Sequence, residues 1–171
     1  MTKNHERGFE KTRPTSARVL SKKAWLGSSL TLYVAAFLAL GVASFASSAA
    51  AAEFDVYKTP WCGCCSGWVD DMVANGHSVI VNDLETLDSI KQMAGVPEDL
   101  QACHTALVEG YVIEGHVPAA DIARLLAERP EATGLAVAGM PMGAPGMGGE
   151  PEPYDVVLFS DDGTTSVYAQ Y

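Results

Sequence analysis

From Ala24 to Ala52 the sequence carries no charged residue. This stretch divides the chain and limits what can fold. Before it, the first 25 residues hold seven basic side chains and two acidic ones. Within it, Leu30–Phe45 is apolar enough for the h-region of a signal peptide, follows Lys22 and Lys23, and leads into Ser47-Ser48-Ala49-Ala50-Ala51-Ala52. Small residues there allow cleavage after Ala50 or Ala52. The basic n-region is long, which fits a translation start later than Met1. An uncleaved anchor is the alternative, because about 20 apolar residues can span a bilayer. No Arg-Arg pair is present, so twin-arginine export is not indicated. Residues 1–52 are therefore expected to be an export leader. Residues 53–171 are expected to form one domain in the periplasm, free of the membrane after cleavage. That domain, about 119 residues, is near the commonest domain size. It holds four basic side chains against nineteen acidic ones, a net of −15. Such a surface repels a phosphate backbone, which excludes nucleic acid as a partner.

The domain reads as alternating strands and helices. Phe54–Thr59 alternates like a strand, and Pro60-Trp61-Cys62-Gly63 turns the chain. Cys65–Asn75 fits a helix with Trp68, Val69, Met72 and Val73 on one face and Gly76 at its exit. His77–Val81 is a second strand, and Leu84–Ala94 a second helix ended by Gly95. Thr105–Val108 and Val112–His116 form a hairpin around Glu109-Gly110-Tyr111. After Pro118, the stripe Ile122, Leu125 and Leu126 makes a third helix that stops before Pro130. The order β-α-β-α-β-β-α is the thioredoxin-like plan, an α/β domain with a mixed sheet and flanking helices. Gly134–Pro153, with six Gly, four Pro and three Met, reads as a loop. Tyr154–Phe159 and Thr165–Tyr168 read as a C-terminal hairpin.

All four cysteines fall in this domain, three of them as Cys62, Cys64 and Cys65. The C-x-x-C pair Cys62/Cys65 lies between a strand and a helix N-terminus, where free amides and the helix dipole favour thiolate. Thiolate is both the nucleophile of disulfide exchange and a ligand for soft metals, so this position leaves both chemistries open. A dithiol cycle needs only Cys62 and Cys65. The third sulfur, Cys64, cannot easily bridge either neighbour, because disulfides need specific Cα separations. Three thiols on one turn suit a polynuclear thiolate site. Zinc is the main competitor, although structural zinc sites usually draw on two separated Cys pairs. An iron–sulfur cluster lacks a familiar ferredoxin spacing.

The strand–Trp-Cys-Gly-x-Cys–helix segment resembles the thioredoxin superfamily, with Cys64 where that motif has proline. That superfamily also sets a proline, often followed by Thr, opposite the motif. The matching stretch is Ala102-Cys103-His104-Thr105, which would bring Cys103 and His104 to face Cys62–Cys65. A closer resemblance rests on four segments: Tyr57-Lys58-Thr59-Pro60-Trp61-Cys62-Gly63-Cys64-Cys65, Cys103-His104-Thr105, Gly110–Pro118 and Gly139-Met140-Pro141-Met142-Gly143. Through these the chain resembles a small family of exported bacterial proteins found with copper-resistance genes and often called CopG, distinct from the DNA-binding repressor of that name. The resemblance implies a thioredoxin-like fold, a cysteine-bridged cluster of several copper ions, and a role in copper tolerance that includes Cu(I)/Cu(II) redox activity.

Softness supports copper independently, since thiolate and thioether suit Cu(I) and imidazole suits either oxidation state. The expected ligands are Cys62, Cys64, Cys65 and Cys103, joined by His104, by His116 near the next helix start, and by Met140 or Met142 from the Gly/Pro loop. His104 can join Cys103 only where the strand is irregular, since neighbouring side chains on a strand face opposite sides. His77 is expected on the solvated surface, Met72 and Met93 in the core, and Trp61 and Trp68 as shields of the site. Three functions follow: a copper-binding redox protein, a thiol–disulfide oxidoreductase using Cys62 and Cys65, or a copper store or chaperone serving other periplasmic copper-handling proteins.

Overall fold

The structure, a computed structural model, describes residues 51–171. The leader expected over residues 1–52 lies outside the described residues except for its last two positions. Among the described residues no helix is long and apolar enough to cross a membrane.

The elements run β1 (Glu53–Lys58), α1 (Gly63–Ala74), β2 (Ser78–Asp83), α2 (Asp88–Met93), a 3-10 turn (Glu98–Leu100), β3 (Thr105–Val108), β4 (Tyr111–Glu114), α3 (Ala119–Glu128), β5 (Gly134–Ala136), β6 (Asp155–Phe159) and β7 (Thr165–Gln170). The order β-α-β-α-β-β-α expected from the sequence is observed. The strands form one mixed sheet in the order β2-β1-β3-β4-β5-β6-β7. β1 runs parallel to β2, β4 runs parallel to β5, and the other pairs are antiparallel.

The register decides which side chains meet. Val56 pairs with Ala106, Ala106 with Ile113, and Ile113 with Leu135. These residues line one face of the sheet with Phe54 and Val108, and α1 and α3 cover it through Trp68, Met72, Ile122 and Leu125. Burying each such side chain stabilises the fold by roughly 1.5–3 kcal/mol relative to exposure. Trp68 satisfies its indole by donating to the Val117 carbonyl at 2.9 Å. On the opposite face, Val96 and Leu100 around the 3-10 turn pack on Val112, Ala136 and Phe159.

Four sequence expectations need correction. Gly134–Pro153 is not all loop, because Gly134–Ala136 is a buried strand. Glycine there argued against a strand, yet it is what lets the strand fit: a Cβ on Gly134 would lie 1.8 Å from the Val112 carbonyl oxygen. This strand joins the C-terminal hairpin to the main sheet. His77 is buried, not solvated; its Nδ1 accepts from the Ala52 amide at 3.2 Å, and its ring meets Phe54 edge-on. The second helix is shorter than expected, and Met93 at its end is 76% exposed rather than in the core. Trp61 is 67% exposed and shields little, while Trp68 is fully buried.

Candidate metal centre

The turn after β1 closes with a bond from the Cys62 amide to the Thr59 carbonyl at 3.1 Å. Cys62 then caps α1 with extended backbone and no side-chain capping bond, and Cys64 and Cys65 lie in the first helical turn. No acidic residue occupies that turn, so no carboxylate competes for its free amides. Cys62 and Cys65 are joined as a disulfide, with Cα atoms 5.4 Å apart. Cys64 and Cys103 are free, and the Cys64 sulfur lies 3.5 Å from that of Cys62.

The fourth cysteine arrives from the other side of the fold. Cys103 and His104 sit between the 3-10 turn and β3, outside any strand. This irregular backbone lets two adjacent side chains converge, which a regular strand forbids. The Cys103 sulfur is 3.0 Å from His116 Nε2 and 3.7 Å from His104 Nδ1. The Cys103 carbonyl also lies 3.6 Å from the Cys65 sulfur. Two ligand-type groups result, Cys62–Cys64–Cys65–Cys103 and Cys103–His104–His116, each with its donor atoms within 4.8 Å of one another. Cys103 belongs to both.

Each imidazole is held differently. His116 Nδ1 lies 2.7 Å from the Pro145 carbonyl. A carbonyl only accepts, so Nδ1 carries the proton and Nε2 keeps its lone pair toward Cys103. His104 is fully buried between Trp68 and His116, with ring centroids 4.6 and 5.0 Å away, and its Nε2 has no hydrogen-bond partner. Burial holds His104 well below its ordinary 6.5, aided by His116 and the Lys91 and Lys58 charges. Burial also lowers His116, against the opposing Pro145 carbonyl. Both rings are therefore neutral at neutral pH and free to ligate. Burial, reinforced by the neighbouring Cys64, pushes the Cys103 thiol up to about 12, so a metal there must displace a proton.

Sequence reasoning named every sulfur and imidazole in these groups. Met140 and Met142 are 58% and 46% exposed. Their loop nevertheless reaches the site through Pro145 and Gly146. Gly146 has φ +81°, and a Cβ there would lie 2.4 Å from the main-chain nitrogen of Trp68 and 2.6 Å from the Cys64 carbonyl oxygen. The loop backbone thus lies directly on the start of α1. Sequence reasoning missed the Pro145 carbonyl, because main-chain acceptors leave no residue signature. It also missed the buried pair Lys91 and Glu114. The hint was a carboxylate inside the otherwise apolar run Tyr111-Val112-Ile113-Glu114.

With the Cys62–Cys65 disulfide reduced, the donor set fits a soft metal: four sulfurs and two neutral imidazoles, one of which carries an unpartnered buried nitrogen. Fold and site together define an α/β domain with a cysteine–histidine ligand cluster at a strand-to-helix turn. Two solved structures titled copper resistance protein copG, Form 2 and Form 1, are each 40% identical to the chain. Each covers 71% of it, and the chain spans 99% and 98% of them, with TM-scores of 0.68 and 0.67. The profile of a family described as "Protein of unknown function, DUF411" matches residues 100–147, which carry Cys103, His104 and His116. No curated protein sequence matches the chain. The chain belongs to the family of the copG copper resistance proteins.

Proposed function

We propose that this protein binds copper for copper resistance or homeostasis, holding several Cu(I) ions in a cysteine-bridged cluster. The observation that carries the reading is the convergence of all four cysteine sulfurs within 4.8 Å, with Cys103 shared by a second group containing His104 and His116. Once an external dithiol has reduced the Cys62–Cys65 disulfide to two thiols, being itself oxidised to a disulfide, Cys62, Cys64, Cys65 and Cys103 would hold the metal, with His104 and His116 completing its shell. Bound copper supplies Cu(I)/Cu(II) electron exchange. The protein's own residues do the rest. Pro145 orients His116, Trp68 and the loop backbone exclude water, and Cys103 gives up its proton on binding. The names of the two solved relatives support copper as the metal. The uncharged segment before Glu53 supports a periplasmic location through a cleaved leader.

Anaerobic Cu(I) loading of the reduced protein tests this. The expected result is more than one copper per chain, lost in the Cys64→Ser/Cys103→Ser variant. A ratio of zero, or loading unchanged in that variant, overturns it.

A second reading draws on the Cys62–Cys65 disulfide. In it, Cys62 at the helix N-terminus is the nucleophile and Cys65 the resolving thiol of a thiol–disulfide oxidoreductase. It predicts metal-free disulfide reduction that survives Cys64→Ser.

A further inference from the structure

On the sheet face opposite Trp68, one buried carboxylate ties three segments together. Glu114 on β4 is fully buried. Its Oε1 accepts from Lys91 Nζ at 2.5 Å and from the Ala102 amide at 2.6 Å, and its Oε2 accepts from Thr105 Oγ1 at 2.7 Å. Lys91, itself buried on α2, also donates to Thr105 Oγ1 at 3.1 Å. Ala102 and Thr105 bracket Cys103 and His104, and Glu114 stands two residues before His116. The bracketed segment is not part of a strand, and besides these bonds a bridge between Ala102 and Gly139 and a bond from the Gly115 amide to the His104 carbonyl fix it.

A buried ion pair is weak evidence for stability, since well-packed apolar residues often serve as well. An apolar pair would not supply acceptors aimed at both ends of a ligand-bearing segment. We propose that Glu114, held by Lys91, is a positioning residue that clamps Ala102 and Thr105 so that Cys103 and His104 converge on the cysteines of α1. The proposal rests on the copper-site reading above. It assigns to a carboxylate that touches no ligand atom the geometry of half the ligand set, the role usual for groups behind a metal shell.

Two double variants test it. Lys91→Met/Glu114→Leu removes both charges and every bond from these two side chains to Ala102 and Thr105. Lys91→Met/Glu114→Gln removes the same charges but keeps an acceptor for the Ala102 amide and a polar group for Thr105. In the metal-free protein, hydrogen exchange at the Ala102 amide is expected to speed up in the Leu variant and to return toward wild type in the Gln variant. With copper, measured by competition against bathocuproine disulfonate, the Leu variant is expected to bind about 10–100-fold more weakly. It is also expected to lose imidazole nitrogen from the copper X-ray absorption spectrum, and the Gln variant to regain both. Equal behaviour of the two folded variants, or a Leu variant indistinguishable from wild type, overturns the proposal. If the Leu variant does not fold, Thr105→Val, which removes the hydroxyl's bonds to Glu114 Oε2 and Lys91 and leaves the Glu114–Ala102 bond in place, decides. Faster exchange and weaker copper binding support the clamp, and unchanged values overturn it. Failure of the wild type to bind copper sinks the proposed function instead, while the exchange comparison still decides whether Glu114 holds the segment.

Discussion

Cys62 and Cys65 can share a disulfide or offer two thiols, but not both at once. In the structure they are bonded, and Cys64 and Cys103 are free. Alkylation with iodoacetamide in denaturant, where burial no longer suppresses the Cys103 thiolate, followed by mass spectrometry should therefore label two thiols before reduction and four after. Copper uptake should rise in step with the two extra thiols. Uptake that is equal before and after reduction would show that Cys62 and Cys65 are not needed. The histidines give a second prediction. In the unfolded chain each takes up a proton as pH falls past about 6.5, whereas the folded rings, held low by burial, stay neutral until lower pH. Metal-free stability is thus fully present above pH 6.5 and is lost as pH falls toward the folded values. Each histidine contributes up to about 1.4 kcal/mol per pH unit in that window. Urea midpoints across pH 7.5 to 5.5 read this, and a flat profile contradicts it. The cysteines and histidines were legible in the sequence because ligand chemistry restricts residue type. What the sequence could not show was how Cys103 and His104 point the same way, since that depends on backbone leaving the strand before β3.

At the level of elements, strands and helices with strong patterning were read correctly, and their ends were not. The first helix and the central hairpin carry apolar residues at the spacing that burial demands. β5 does not. It is three residues long and starts with glycine, and its strand character comes from the partners on either side. β4 and β6 leave a gap that only a backbone without a Cβ at Gly134 can enter. Tertiary pairing there overrides local preference. Gly134→Ala is therefore expected to lower stability by about 3 kcal/mol through overpacking, seen as a lower urea midpoint. An unchanged midpoint would mean that β5 does not hold the C-terminal hairpin to the sheet. The short second helix was overextended from the sequence for a related reason. Apolar residues over Leu84–Ala94 suggested a continuous stripe, but only Leu87 and Lys91 are buried there.

At the level of the whole molecule, the fold bears on where the proposed leader would be cut. Ala52 is buried, its amide donates to His77, and its carbonyl accepts from Ser78 at 2.9 Å. Cutting after Ala52 would remove these contacts, while cutting after Ala50 keeps them. The proposed export thus predicts a mature protein starting at Ala51, checked by intact mass of material from the periplasmic fraction. A start at Glu53 would show that the fold forgoes the Ala52–His77 contact. The bond from His116 to the Pro145 carbonyl carries a different consequence. Its acceptor is main chain, so any residue at position 145 that keeps the loop's path supplies it. That position can drift over generations without disturbing which nitrogen of His116 is free. The constraint is passed to Gly146, whose backbone angle and lack of a side chain keep the loop against α1. Relatives that share this device should vary at 145 and hold glycine beside it.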